Sequence, residues 1–447
     1  MLGLAGPVVA AQLAQMSMGL TDTVMVGRLG KDALAGVALG NTVFSFFAVL
    51  WMGFVMAVGP MVSQAFGGGH KEPIERSVRQ GFWLAAALTA PPFLILWNIG
   101  PFLLAIGQAE VAVDGATSYM RAISWGFLPF LWFVALRGFV EGISRPWPVT
   151  VIAFAGVAVN VSGNYVLMFG KLGFPALGLA GTGWASTIVY WFLTLVLGLF
   201  VVRGSSFKQY RIFSKIGRPD RHYFREILRI GWPVGVAFGI EVGLFMTTAV
   251  LLGTIGTTTL AAHQIAIQCA AFTFMVPLGI GMASAIRVGH AVGREDWPSV
   301  RLSGAVGMAL STAVMSVAAL AFWILPREII GIFLDLRIPD NRPVVELAIT
   351  LLGIAAVFQV FDGIQVSAAG ALRGLKDTRR PMLLGFISYW LIGLTIACTL
   401  GFAFHFGAPG MWWGLVLGLA SAAVLLASRF HRLTRSKDGL VKVAPGV

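Results

Sequence analysis

The chain has 447 residues, 57% of them hydrophobic and only 11% charged, with a net charge of +13. A soluble domain of this size carries about a quarter charged residues, so a soluble enzyme or binding module is excluded and a polytopic helical membrane protein is implied. The apolar runs are also too long for the strands of about ten residues from which a closed β-barrel is built.

Taken in order, apolar segments predict twelve spans at 3–27, 34–63, 77–99, 116–138, 147–169, 176–202, 231–253, 257–286, 302–325, 344–372, 381–404 and 409–428. Several exceed the ~20 residues needed to cross a bilayer, so tilt or extension beyond it is expected. The first segment lacks a positive n-region and a small-residue cleavage site, so it reads as a span and not a signal peptide, with room for a short leader upstream. With both termini cytoplasmic, 25 of the 32 Lys and Arg residues fall in inner segments. That asymmetry supports the count and orientation, and it explains the net charge as a topology signal, with no nucleic-acid partner. Residues 1–203 are the expected N-terminal six-helix lobe, 204–230 a basic cytoplasmic linker lying at the anionic inner leaflet, 231–432 the C-terminal six-helix lobe and 433–447 a tail.

The halves repeat. Pro7 aligns with Pro233 at an offset of 226, and Ala135-Leu136-Arg137-Gly138 is echoed by Ala371-Leu372-Arg373-Gly374 at 236, with Glu141 and Asp377 three residues further on. Six spans per half is an even number, so both copies enter from the same side. The expected fold is all-α: twelve transmembrane helices in two six-helix bundles, related by a pseudo-twofold axis along the membrane normal.

Three acids lie deep inside apolar spans: Asp22, Glu241 and Asp362. A carboxylate in hydrocarbon costs several kcal/mol unless it faces a cavity or a partner, so each is a functional-site candidate. By helical rise, Glu241 lies ~18 Å from Arg229 and Asp362 ~16 Å from Arg373, which puts both at similar depth. Two adjacent anions need a proton or cation between them, so Glu241 and Asp362 are candidate Na⁺ ligands or proton carriers. Asp22 is ~9 Å below the outer face. Asn160 and Asn164, four residues apart on one helix face, can meet it, and Thr182 and Ser186 can join. The plainer alternative for that cluster is an interhelical hydrogen-bond network worth about 1 kcal/mol. Pro7, in the helix of Asp22, frees a carbonyl and permits a bend.

Cys269 and Cys398 belong to no CxxC pair or ligand cluster, and most of the Trp, Phe and Met residues read as lipid-facing bulk. No GxxxxGK[ST] loop or HExxH helix is present, so neither ATP-driven pumping nor zinc-dependent proteolysis is supported, and no cofactor is expected.

The segments Met18–Gly30, Asn160–Gly170, Ala261–Ala266, Ala283–Gly293 and Asp362–Thr378, in this order across twelve spans, resemble the NorM-type branch of the multidrug and toxic compound extrusion (MATE) family. The resemblance covers essentially the whole chain. It implies export of lipophilic organic cations in exchange for Na⁺ or H⁺ by alternating access, in the cytoplasmic (inner) membrane. It also implies a second-half cation site at Glu241 and Asp362, a first-half acid at Asp22 with Asn160 and Asn164, and a bending proline at Pro7. Two positions depart from the pattern: Phe358 stands where Na⁺-binding relatives often have Tyr, and Asn164 where some carry a second acid. A lipid or lipid-linked oligosaccharide flippase of the same superfamily is the competing reading; it predicts a cationic groove, whereas this chain puts acids in its spans. A membrane enzyme would need a nucleophile or metal constellation, which is not found. One chain of twelve spans suffices for transport, so a monomer is expected.

Overall fold

The structure, a computed structural model, describes residues 1–214, 217 and 219–435, and for Lys31 the backbone alone. Residues 436–447 of the expected tail, and Lys215, Ile216 and Arg218 of the linker, lie outside the described residues. Twelve long helices follow in chain order among the described residues. They are α1 (Leu2–Gly27), α2 (Lys31–Val55, resumed as Val58–Gly67), α3 (Lys71–Asn98), α4 (Glu110–Ser124 and Phe127–Gly142), α5 (Trp147–Phe169), α6 (Gly178–Arg203), α7 (Arg221–Ile255), α8 (Thr257–Gly293), α9 (Trp297–Ile324), α10 (Arg342–Gly374), α11 (Arg379–Ala403) and α12 (Gly407–Arg435). Each coincides with one predicted span.

Eleven of them are long and apolar enough to cross a membrane when the bent α4 counts as one. The twelfth, α1, has 26 residues and so is ~39 Å long; Gln12, Gln15, Ser17, Thr21 and Asp22 lower its hydropathy. The 49° bend in α4 falls at Trp125–Gly126. Pro129 cannot donate to the Trp125 carbonyl four residues back, and Gly126 tolerates the turn. Helix α11 contains two widened π-type turns, at Ile387–Leu394 and Thr399–Ala403.

By packing, the chain divides into two compact units, Ala10–Gly235 and Met1–Val9 with Val236–Val447. In the first, α4 packs against α2, α3 and α6, and α5 against α6. In the second, α10 plays the part of α4, packing against α8, α9 and α12, and α11 lies on α12. Between apolar helices in lipid, close approach matters more than greasiness. Gly410, Gly414 and Gly418 on α12 stack at four-residue spacing against Leu400, Ala397 and Gly393 on α11, with no room for a side chain at any of them.

The segment after α6 does more than link. Phe207 and Tyr210 are buried against Phe139 at ring separations of 5.9 and 5.6 Å, and Phe213 stacks on Phe82 at 5.8 Å. The Arg211 N–H donates to Glu75 at 3.0 Å, and Arg76 pairs with Asp220 at 3.0 Å. Its aromatic residues thus fasten it to the first unit.

The structure also corrects the register of the repeat. Helices α2, α4, α8 and α10 all end in the same cap. Its left-handed residue is Gly69 (φ 76°), Ser144 (φ 62°), Glu295 (φ 57°) or Lys376 (φ 59°). In each, the next N–H closes a six-residue loop: His70 to Ala65, Arg145 to Val140, Asp296 to Ala291 and Asp377 to Leu372. Gly69 and Glu295 are 226 apart, as expected, but Ser144 and Lys376 are 232 apart. Packing agrees, for a side chain added at Gly142 would meet Val62 and the Gly59 carbonyl, and one at Gly374 would meet Val288 and the Ala285 carbonyl. The Ala-Leu-Arg-Gly echo at 236 is therefore one helical turn out of register. The true counterpart of Arg373 is Glu141, and that of Arg137 is Ala369.

Candidate functional site

Two clusters of buried polar groups stand inside the helices, one in each unit. In the first, Asp22 on α1 is half-buried. Its Oδ1 accepts from the Asn160 and Asn164 side-chain amides on α5 at 2.9 and 2.6 Å, and its Oδ2 from the Ser186 hydroxyl on α6 at 3.3 Å. The predicted meeting of Asp22 with the two asparagines and Ser186 is thus present. Thr182 is not part of it; one turn from Ser186, it donates to the Met168 sulfur at 3.2 Å. Both asparagines are fully buried, and their side-chain carbonyl oxygens have no hydrogen-bond partner. With their amino groups turned to the carboxylate, two oxygen acceptors are left over beside it. Tyr119 on α4 and Tyr190 on α6 act on Asp22 electrostatically. Beside the cluster a groove of about 740 Å³ opens between α1 and α5, lined by Ser17, Thr21, Met25, Ser162 and Tyr165 among others.

In the second unit, Glu241 on α7 and Asp362 on α10 lie within electrostatic reach of each other, as the depth estimate predicted. Asp362 is buried, and its Oδ1 has no partner. Tyr389 on α11 lies within electrostatic reach of both carboxylates. It also approaches Gln365, but neither its hydroxyl nor the Gln365 side-chain oxygen completes a regular hydrogen bond. Arg373, on the same helix as Asp362, acts on Glu241 and lies over the Phe238 ring at 5.8 Å. Trp390 donates to the Ile240 carbonyl at 3.1 Å, next to Glu241. Phe358, one turn before Asp362, is buried between Phe245 and Trp412. His263 sits edge-on to Trp412 at 5.7 Å, a packing role.

Buried polar atoms without protein partners are rare and call for water or an ion. Each cluster therefore offers a carboxylate, orphaned acceptor oxygens and a phenol or hydroxyl, which is the donor set for a proton, a hydrated proton or a hard monovalent cation. Among the described residues no group of three or more His, Cys, Asp or Glu side chains gathers as a transition-metal site would.

The tyrosines escaped the sequence reading because aromatic residues looked like bulk. Their rarity was the available signal: the chain has 33 Phe but six Tyr, and three of the six stand at the intramembrane acids. Arg137 and Arg373 are among the 25 basic residues of the inner segments, yet both are buried within the ends of α4 and α10.

Duplicated helices around intramembrane carboxylates define an all-α polytopic membrane protein with ionisable sites in its spans. The chain belongs to the MatE family, whose model matches it twice, at residues 7–166 and 233–399. Among curated relatives, it is similar to a probable multidrug resistance protein NorM of Pseudomonas aeruginosa, 42% identical over 430 residues covering 96% of this chain and 88% of the relative. A probable multidrug resistance protein NorM of Pseudomonas syringae pv. tomato is 40% identical over 449 residues, covering 100% and 97%. Among solved structures, the eukaryotic MATE transporter AtDTX14 superposes with a TM-score of 0.85 at 20% identity over 99% of this chain and 98% of that one. A MATE protein in complex with MaL6 gives 0.88 at 18% identity, covering 99% and 96%. These structural likenesses bear on the fold.

Proposed function

We propose that this protein is a secondary active multidrug transporter that exports lipophilic organic cations in exchange for Na⁺ or H⁺. It works as a monomer in the cytoplasmic membrane with both termini inside, and needs no cofactor. The observation that carries the reading is the pair of clusters, each with a carboxylate beside orphaned acceptor oxygens. Such groups are expensive in a membrane and are kept where an ion or proton is handled. The names of the NorM relatives support a drug substrate.

In the first half, Asp22 takes the coupling proton or cation. While it is ionised, Asn160 and Asn164 turn their amino groups to it. When it is neutralised, a flip of either amide presents its carbonyl oxygen, so the asparagines follow the charge of the acid. Pro7 lets α1 bend in response. In the second half, Glu241 and Asp362 share the bound cation, with Tyr389 in attendance. Cation entry from outside favours drug release and closure, and the protein alternates between two access states because each ligand prefers one of them. Acids in the spans favour cationic cargo over anionic lipid.

The test is ethidium transport in energised inverted vesicles, with Na⁺ and H⁺ gradients imposed separately. Transport that follows one gradient identifies the ion. A well-folded protein that moves no organic cation under either gradient overturns the proposal.

A further inference from the structure

Arg373 is buried at 9% exposure. It lies one helix turn inside the cytoplasmic cap of α10, and its Nη2 has no hydrogen-bond partner. A buried guanidinium left short of acceptors is costly, and it is normally paired. The obvious acid is four residues on, at Asp377. That carboxylate is held instead by Arg429 of α12 at 2.5 Å.

The first half shows what the same place looks like when it is closed. There Arg137 donates to Glu141 at 2.7 Å and to Gln12 at 2.6 Å, and it reaches Gln15 at 3.5 Å. Acid, base and amides satisfy one another. In the corrected register each member has changed in the second half. Glu141 becomes Arg373, Arg137 becomes Ala369, Gln12 becomes Phe238 and Gln15 becomes Glu241. Arg373 still lies against the same helix face, over Phe238, one turn from Glu241. The carboxylate in the place of Gln15 is the one left for it. A closed structural clamp has been rebuilt as an open charge pair.

We infer that Arg373 is the resident counter-cation of the second-half site. It offsets Glu241, so that the Glu241–Asp362 pair carries one net negative charge and takes one monovalent cation at a time. Arg373 is thus a positioning and selectivity residue that touches neither cargo nor ion. Its consequence for transport rests on the function proposed above; the charge arrangement does not.

Other ionisable groups stand on the elements packed around the site. Tyr389 of α11 lies within electrostatic reach of the carboxylates. On α8, His263 is turned to Trp412, and Cys269, Arg287 and His290 share that helix. On α9, Arg301 donates to the Thr434 carbonyl at 2.7 Å, and on α12 Arg429 is committed to Asp377.

Trp390, hydrogen-bonded beside Glu241, supplies a reporter among the chain's 14 tryptophans, so the test is a pH titration of the fluorescence component that Trp390→Phe removes, read on the purified protein in each background, with ethidium transport run in parallel. Arg373→Gln should move the titration midpoint to the alkaline side by about one unit or more, and Glu241→Gln should move it to the acid side by a similar amount. Arg373→Lys keeps the charge and should stay near the wild type. The double variant Arg373→Gln/Glu241→Gln restores the net charge and should return to within about a third of a unit of the wild type, as coupled neighbours do in a double-mutant cycle. The double variant adds no unpaired charge to the one Asp362 already carries in the wild type, so it decides the matter even if Arg373→Gln alone does not fold. If the double variant titrates like Glu241→Gln, the inference is overturned. A wild type that titrates as described but moves no ethidium overturns the transport proposal and leaves the counter-cation standing.

Discussion

Replacing Asp22 with Asn separates a coupling carboxylate from an ordinary interhelical hydrogen-bond cluster. The substitution keeps the shape and removes the charge. Asp22 accepts three hydrogen bonds: two amide donors on Oδ1 and one hydroxyl on Oδ2. An asparagine can keep its oxygen toward the two amides and turn its amino group to Ser186, whose hydroxyl can accept as well as donate. All three contacts then survive, and only their charge assistance is lost. Interhelical hydrogen bonds in membranes contribute ~0.6 kcal/mol on average and at most ~1.7. The expected cost of Asp22→Asn is therefore about 1 kcal/mol, seen as a melting point lower by a few degrees at most. Efflux should nevertheless fall to the level of empty vesicles, because no group is left there to take up and release a proton or cation. The assay pairs a thermal melt in detergent with ethidium transport under the coupling gradient. A variant that melts like the wild type and transports at its rate would refute the role given to Asp22. A variant that melts far lower would show that the cluster holds the helices together, and the structural alternative would stand.

Two further outcomes follow from the packing. Arg137→Met leaves Glu141, whose side chain is 3% exposed, without its cation, and should cost about 3–5 kcal/mol, while Arg137→Met/Glu141→Leu should recover most of that; a melt in which the single variant loses less than the double one refutes the clamp. Glu295 occupies a left-handed cap position at φ 57°, which costs an L-residue ~1–2 kcal/mol, so Glu295→Gly should gain about 0.5 kcal/mol after the extra chain entropy of glycine. A lower melting point for Glu295→Gly would contradict the cap.

The sequence by itself determined the twelve helices, their order and the duplication, because these depend on local and additive quantities: apolar length, charge at the ends, proline and glycine spacing. It determined the three acids for the same reason, since a carboxylate in an apolar run is costly wherever its neighbours lie. Depth followed from helical rise, so Glu241 and Asp362 could be placed at one level before any contact was known. What surrounds each acid was decided only by tertiary structure. Ser186 meets Asp22, but Thr182, one turn away on the same helix, reaches Met168 instead. Two residues four apart share a helix face yet stand ~6 Å apart along it, and only the crossing of α1, α5 and α6 chooses between them. The Ala-Leu-Arg-Gly echo failed by the same single turn: identical letters put Arg137 and Arg373 in correspondence, while the caps and the glycine contacts pair Arg373 with Glu141. Arg373 itself looked like one more cytoplasmic charge, because a sequence cannot say that the nearest acid, Asp377, is already taken by a helix fifty residues away. Competition for partners is a property of the assembled fold, and it is what leaves Arg373 buried over Phe238 without the acid nearest to it in the sequence.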